Sequence, residues 1–311
     1  MKTNNFNLPS TVTLAFDLAN AEYEAEMAAW WAETWPGRDR AKHLSCTTLI
    51  DSPYINWLEK KYPDCPEDYA DIYFSVLGTI WHKWLEGAAR KDPTNAMVEH
   101  RFSVDVDGWI VSGKIDIARG DLATKHCTLL MDFKFSSFYR IQKAMKRGSA
   151  TFEAQLNTDC WLMRKAGWTV DAVAIGATSR DWTKRILKKE NMNFWEEIRF
   201  PLWGEDEQEA YVRERLALHQ STLADMDKTP PVCTDEERWI RDPKTAVMKQ
   251  GIKNSRKNFD TTEEAQAWMD DQKDKALMYL EDRPGGYPRC EEDGYCQFSK
   301  AGLCHYYKIG D

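Results

Sequence analysis

The sequence predicts an α/β fold in which a mixed β-sheet is flanked by helices. In residues 66–90, apolar side chains recur at three- and four-residue steps, as they do along one face of a helix. In residues 98–106 and 109–118, apolar and polar side chains alternate, as they do on a strand with one buried face. Hydrophobic residues make up 42% and charged residues 30% of the 311 positions, which is typical of a globular enzyme.

Three helices are predicted before the first strand. Alanine- and glutamate-rich residues 14–35 form the first, and the pair Pro36-Gly37 ends it. The second covers residues 45–61, with Pro53 in its first turns or at a break. The third is the periodic segment 66–90, which ends before Pro93.

A β-meander is predicted next. Asp107-Gly108 is a hairpin signal between the first two strands, and Arg119-Gly120-Asp121 is read as the turn into a third strand, 127–135. This arrangement places Asp116 and Asp132 on neighbouring strands. The remaining predicted elements are helices 139–147 and 149–166, strands 170–178 and 194–202, helix 204–226, and helix 261–281.

These elements predict four regions along the chain. Residues 1–44 are an N-terminal helical segment, and 45–226 are the catalytic core. Residues 227–283 contain a Pro230-Pro231 linker followed by a helical C-terminal extension. Residues 284–311 form a cysteine-containing tail with little regular structure, which is expected to pack on the core.

Charge and composition exclude several classes of protein. The formal charge is −8, from 42 basic and 50 acidic residues, so any contact with nucleic acid is local or is assisted by metal ions. The sequence has no run of about 18 apolar residues and no apolar block near its start, so we expect a cytoplasmic protein without a membrane partner. In that compartment the 8 cysteines are thiols or metal ligands.

The segment from Gly113 to Lys134 carries the main chemical signal. It contains Gly-Lys-Ile-Asp ending at Asp116 and Met-Asp-Phe-Lys ending at Lys134. Asp132 and Lys134 are two residues apart, so they point to the same face of one strand. Carboxylates can hold the divalent ions that phosphodiester cleavage uses to activate water and neutralise charge. A single Asp-x-Lys is more often a cross-strand salt bridge, so the neighbouring motifs decide between the two interpretations.

Three neighbouring motifs favour the metal site. Gly78-Thr79-Ile80-Trp81-His82 lies on the preceding helix, Glu99 opens the first meander strand, and Gln155 begins Gln-Leu-Asn-Thr-Asp on the following helix. From about residue 45 to 182, this order resembles the RecB-type branch of the PD-(D/E)XK nucleases, which includes AddB-like and lambda-type exonuclease relatives. The resemblance implies a PD-(D/E)XK restriction-endonuclease-like core.

The resemblance also implies roles for individual residues. Magnesium or manganese would be the catalytic ion. One position departs from the family pattern, since Asp159 stands four residues after Gln155, where a tyrosine is frequent in the family. The implied metal ligands are His82, Asp116, Asp132 and the Phe133 backbone carbonyl, and the implied catalytic groups are Lys134, Gln155 and Glu99 together with the two aspartates.

The tail cysteines suggest a second metal. AddB-like nucleases join three late cysteines and one early cysteine to a four-iron cluster, and the resemblance implies the same here. The early family position holds Ser52, so Cys46 or Cys65 would have to replace it. A zinc site completed by His305 and a set of unligated thiols stay open as alternatives. The late cysteines are Cys290, Cys296 and Cys304.

A metal-dependent deoxyribonuclease is therefore the expected function. Family analogy favours an exonuclease on linear DNA ends in recombination, repair or phage DNA processing. No phosphate-binding Gly-x-x-x-x-Gly-Lys motif is present, so a helicase, like a recombinase or single-strand-binding protein, would be a separate partner. A site-specific or structure-specific endonuclease and a non-catalytic DNA-binding or assembly protein remain alternatives. The predicted phosphate contacts are Arg140, Lys143, Lys146 and Arg147.

Overall fold

The computed structural model describes residues 2–3, 8–291 and 294–304. The chain divides into two compact units, which are described separately. Unit 1 comprises Met1–Trp57 and Glu67–Lys228, and unit 2 comprises Leu58–Pro66 and Thr229–Asp311. None of the described helices is long and apolar enough to cross a membrane.

Unit 1 is built on a seven-stranded mixed sheet in the order β2-β5-β6-β8-β9, with β4 on β5 and β7 on β6. The β2–β5, β6–β7 and β6–β8 pairs are parallel and the others are antiparallel. The predicted mixed sheet is therefore confirmed. The strands of unit 1 are β1 (Lys2–Thr3) and β3 (Glu67–Asp68), which pair with each other, and β2 (His43–Ser45), β4 (Asn95–Val106), β5 (Trp109–Asp121), β6 (His126–Ser136), β7 (Thr169–Val170), β8 (Val173–Ser179) and β9 (Trp195–Phe200).

Helices cover both faces of this sheet. The described helices of unit 1 are α1 (Ser10–Thr34), a 3-10 turn (Arg40–Lys42), α2 (Cys46–Ile50), α3 (Pro53–Lys61, which continues into unit 2), α4 (Tyr69–Ala89), α5 (Phe138–Arg147), α6 (Ala150–Lys165), α7 (Lys184–Glu190) and α8 (Glu205–Leu223). On one face, Leu85 of α4 packs against Ile117 and Met131. On the other, Leu156 of α6 lies in the larger core with Ile115.

Strands β4 and β5 exchange faces halfway along their length. Val98 packs on the α4 side, whereas Phe102, which has the same parity along β4, packs on the α6 side. In β5, Ile117 and Ile115 differ in the same way. A regular strand would keep such residues on one face. The irregularity therefore lies between them, where the acidic residues of the predicted site are found.

Of two local predictions in unit 1, one alternative is confirmed and the other prediction is corrected. Residues 45–61 form two helices, because Pro53 begins α3 after a break at Ser52, as one of the two alternatives predicted. The turn predicted at Arg119–Asp121 is wrong, since β5 continues to Asp121 through a shift in register at Gly120. Gly120 has a φ of 139°, and an added Cβ would lie 2.0 Å from the His126 carbonyl oxygen. The glycine therefore marks a bulge inside a strand.

Unit 2 corrects the predicted helical extension. It is a three-stranded antiparallel sheet of order β11-β10-β12 with one helix, α9, packed on it through Val247, Ala265 and Met278. The predicted 261–281 helix ends at Asp270, and its last residues belong to a strand. The elements are β10 (Lys244–Lys249), β11 (Ile252–Phe259), α9 (Thr262–Asp270), a 3-10 turn (Lys275–Leu277), β12 (Met278–Arg283) and α10 (Gln297–Lys300).

Candidate metal centre

The centre lies where β5 and β6 separate. Their ladder ends at the pair Ile117–Met131, and the next residues along the two strands are Asp116 and Asp132. Beyond this point the β6 backbone no longer pairs with β5. The Phe133 N–H instead donates a 2.6 Å hydrogen bond to Asp116 Oδ2, which orients that carboxylate. Both aspartates are buried. The predicted placement of Asp116 and Asp132 on neighbouring strands is confirmed.

His82, on α4, reaches the point where β5 and β6 separate, which is called the fork below. Its Nδ1 lies 3.4 Å from Asp116 Oδ2. Ligand atoms of His82, Glu99 and Asp116 all lie within 4.8 Å of one another, so one cation could contact all three. Burial by itself lowers the pKa of His82, but the hydrogen bond and negative charge of Asp116 outweigh it and raise the pKa. The imidazole is therefore held in a strongly negative environment.

Glu99 completes this group through an unusual backbone. Its φ is +53° in the middle of β4, a conformation that costs a residue with a side chain about 1–3 kcal/mol. The register places it across from Asp116, because Val98 pairs with Ile117 and His100 pairs with Ile115. Burial raises the pKa of Glu99, while Lys114 Nζ, 2.5 Å away, stabilises its charged form. The positive φ of Glu99 therefore directs its carboxylate toward Asp116, at the point where β4 and β5 exchange faces.

Asp132, Lys134 and Gln155 form a connected set on the α6 side. Gln155 Nε2 donates to Asp132 Oδ1 at 2.8 Å, and Lys134 Nζ donates to Gln155 Oε1 at 2.9 Å. Lys134 Nζ also lies 2.5 Å from Asp132 Oδ2. The predicted Gln155 therefore holds both the acid and the lysine. The predicted metal ligand Asp132 is not a member of the group of His82, Glu99 and Asp116, whose ligand atoms lie within 4.8 Å of one another. Its charge nevertheless raises the pKa of His82.

The donor set fits a hard divalent cation. Asp132 Oδ2 is buried, and the Lys134 ammonium lies close to it. Burial raises the pKa of Asp132, and the charge of Lys134 opposes this shift. The two carboxylates and the imidazole of Glu99, Asp116 and His82 suit Mn²⁺ or Mg²⁺. The Phe133 backbone carbonyl projects toward the same edge of β6 as its N–H, which contacts Asp116, and its role as a ligand stays a prediction.

Gly113 and Asp159 show why the motif glycine is needed. A Cβ on Gly113 would lie 2.4 Å from Asp159 Oδ1, 2.7 Å from Cys46 Sγ and 2.8 Å from Leu162 Cδ1. The Cys46 thiol hydrogen-bonds to Asp159. Burial, together with the nearby charge of Asp132, raises the pKa of Asp159 to about 8. Asp159 is therefore a buried acid that stays protonated at neutral pH.

The cysteines are distributed over both units. Cys46 is buried in unit 1 against Asp159, whereas Cys65 and the three late cysteines belong to unit 2. In the tail, Ser299 Oγ donates to the Cys290 carbonyl oxygen at 2.6 Å, and buried Phe298 anchors α10. Burial raises the pKa of Cys296. His305, the predicted zinc ligand, lies outside the described residues.

The four predicted phosphate contacts lie on α5, and all are exposed. The Arg140 guanidinium lies 4.7 Å from the centre of the Phe152 ring, and Lys134 Nζ lies 5.8 Å from the same ring. Arg140 and Lys134 therefore share the Phe152 ring as a neighbour. Lys146 lies 3.5 Å from Glu190 in a surface ion pair. The other two predicted phosphate contacts on α5 are Lys143 and Arg147.

Comparison with known proteins adds little. No family model matches the chain, and no curated protein matches it. Among solved structures, the crystal structure of SSO0001 is similar with a TM-score of 0.40 and 17% identity, over 66% of this chain and 87% of SSO0001. A similarity of this degree carries no functional argument, so the argument for function rests on the residues and their geometry.

Two features of the centre were not predicted from the sequence. Lys114 belongs to the Gly-Lys-Ile-Asp motif, but its ion pair with Glu99 depends on the register between β4 and β5. Arg180 follows β8 directly, and its guanidinium lies 3.5 Å from the centre of the Phe74 ring. The sequence signal that could have identified Arg180 is its position as a basic residue just after the predicted strand 170–178.

Proposed function

We propose that the chain is a divalent-metal-dependent deoxyribonuclease with a PD-(D/E)XK core. The observation that carries the proposal is the convergence of His82, Glu99 and Asp116 beside Asp132 and Lys134, where two strands separate. Each residue comes from a different position along the chain and was proposed from its motif. A set of unrelated salt bridges would not require these groups to meet at one point.

The protein's own groups have distinct tasks in this proposal. A divalent cation held by the carboxylates and the imidazole would neutralise the phosphate and make water a better nucleophile. Lys134 contributes a positive charge next to the attacked phosphate and positions the water. Gln155 fixes Asp132 and Lys134 relative to each other through its two hydrogen bonds. The Phe133 N–H keeps one lone pair of Asp116 occupied, which leaves the carboxylate with a defined orientation.

DNA is the proposed partner, and cleavage from linear ends is the preferred mode. The exonuclease preference and the setting of recombination, repair or phage DNA processing rest on the family resemblance. A site-specific or structure-specific endonuclease on the same core is the second candidate. Covalently closed circular DNA separates the two, because an exonuclease leaves such circles intact and an endonuclease linearises them.

A cleavage assay with matched variants tests the proposal. We expect wild-type protein to degrade linear DNA with Mn²⁺ or Mg²⁺ and to lose this activity in EDTA. Asp116→Asn and Lys134→Ala should each lower the rate by at least about 100-fold, because each removes a charge at the reacting centre. Asp121→Asn, at the exposed end of the same strand β5, is the control and should cleave normally. Equal activity of Lys134→Ala and wild type would refute the site.

The tail cysteines are proposed to bind a second, structural metal with Cys65, because these four cysteines belong to one unit. The bound metal is proposed to be a four-iron cluster or a zinc ion. An iron–sulfur cluster would appear as visible absorption in anaerobically purified protein, whereas zinc would appear only in metal analysis. Cys65→Ser should lose the bound metal, and Cys46→Ser should retain it.

A further inference from the structure

Helix α4 has a second apolar side that faces away from the sheet. Trp84 is 66% exposed and Ile80 is 58% exposed, and both lie on α4 within two residues of His82. Tyr73 and Phe74 continue the exposed side toward the helix start. Four large exposed side chains on one helix are far more than folding needs, since the opposite side of α4 already packs on the sheet.

Aromatic rings on this side form a continuous series with the end of β6. The Trp84 and Trp81 rings are 4.9 Å apart, and Trp81 stacks on Phe135 at 5.7 Å with an interplanar angle of 28°. Phe135 directly follows Lys134 along β6, so its ring and the Lys134 side chain point to opposite faces of the strand. Among the described residues, the buried Trp81 Nε1 has no hydrogen-bond partner. Because Trp81 precedes His82 on α4, the series runs from the α4 face of the candidate centre to a ring that is open to solvent.

Positive charge accompanies the rings. The Arg180 backbone N–H donates to the Ser136 carbonyl oxygen at 2.9 Å, which places Arg180 just beyond Phe135 along the sheet, with its guanidinium over Phe74. Within the described part of the chain, Arg180 forms no ion pair with a carboxylate. An unpaired cation beside exposed rings suits phosphates and bases together.

We propose that Trp81, Trp84, Phe135, Phe74 and Arg180, named here the aromatic track, bind unpaired bases of a single DNA strand next to the scissile phosphate. The proposal deepens the nuclease function and rests on it for the position of that phosphate. From residue 81 to residue 74 the helix rises about 10 Å, so the track extends beyond a single base. A second protein copy would fit exposed aliphatic side chains, but it would not account for the unpaired guanidinium of Arg180 over Phe74.

Binding measured without cleavage tests the track directly. A fluorescent single-stranded oligo(dT) and a blunt duplex of equal length are titrated with protein in EDTA, and anisotropy is followed. Trp84→Leu keeps an apolar side chain but removes the ring, and it should weaken oligo(dT) binding about 5- to 100-fold. Trp84→Phe should restore most of the affinity, and duplex binding should change little. Tyr23→Leu, at a 52% exposed ring on α1, is the matched control and should bind normally.

Further outcomes decide between the possible occupants. Arg180→Gln should reduce the dependence of oligo(dT) binding on salt by about one counterion, because it removes one phosphate contact. The proposal is overturned if Trp84→Leu binds oligo(dT) as wild type does, or weakens single strand and duplex equally. It is also overturned if Trp84→Leu only abolishes self-association measured by sedimentation. Wild-type protein that binds through the track yet cleaves nothing with Mn²⁺ would refute the nuclease proposal alone.

Discussion

Asp159→Asn should make the protein more stable as the pH rises, relative to wild type. Asp159 is 4% exposed, and its pKa of about 8 lies far above the usual 3.8 because burial and the nearby charge of Asp132 oppose ionisation. The unfolded chain releases this proton near pH 4, whereas the folded chain holds it to about pH 8. Between these values the unfolded state binds fewer protons, so wild-type stability falls as the pH rises.

The size of the effect follows from the shift. Each pH unit between the two pKa values costs up to about 1.4 kcal/mol of unfolding free energy, so ionisation in the unfolded state costs on the order of 4 kcal/mol by pH 7. The asparagine amide does not ionise and has nearly the same shape, so the variant lacks this loss. The hydrogen bond between residue 159 and the Cys46 thiol changes in strength by about 1 kcal/mol in the variant, equally at every pH. This change shifts the difference in unfolding free energy between variant and wild type but does not alter how the difference varies with pH.

Urea unfolding at pH 5, 6, 7 and 8 in EDTA measures this difference. The unfolding free energy of Asp159→Asn minus that of wild type should increase steadily over the series. Asp121→Asn is the matched control, because Asp121 is exposed and its pKa is lowered, so its difference should stay flat above pH 5. A flat difference for Asp159→Asn would show that the buried carboxyl is ionised at neutral pH and would refute the reasoning.

Two further substitutions test other parts of unit 1. Gly113→Ala should destabilise the protein by about 1–3 kcal/mol in urea unfolding and lower DNA cleavage, because its Cβ would collide with Asp159 and Cys46; an unchanged midpoint would contradict this. Burial alone would raise the pKa of Glu209, but hydrogen bonds from Lys165 and other donors lower it to about 2. Above pH 4.5, Glu209→Gln should therefore lower the free energy of unfolding by about 1–2 kcal/mol, a figure reduced because the side chain is partly exposed. This loss should vanish as the pH falls toward 2. A loss that stays constant with pH would contradict the lowered pKa.

The strands that carry the candidate site could be predicted because their signals are local. Alternation and the Asp107-Gly108 hairpin place β4 and β5 in register, and the same pattern continues into β6. The position of the Glu99 carboxylate could not be predicted in this way, because it depends on a positive φ and on the exchange of faces opposite Asp116. A side-chain pattern alone does not reveal which residue of a strand will take a strained conformation.

Unit 2 could not be predicted for a different reason. Strand β11 is exposed along almost its whole length, so its residues show no apolar alternation. Strand β10 has a buried apolar run of only a few residues, too short to be told from a helix by periodicity. These strands are stabilised by pairing between β10 and its two neighbours. The pattern of a single segment does not reveal such pairing between distant parts of the chain.

The irregularities of unit 1 coincide with its candidate chemistry. The strained backbone of Glu99, the end of the ladder before Asp116 and Asp132, and the raised pKa of Asp159 all lie around one fork in the sheet. Each feature lowers the stability of the fold, through strain, unmade strand pairing or buried acid. A sheet shaped by stability alone would extend the β5–β6 ladder and fill the fork with apolar residues. The proposed cation would account for the acidic part of this coincidence, because its positive charge would offset the buried carboxylates of Glu99 and Asp116.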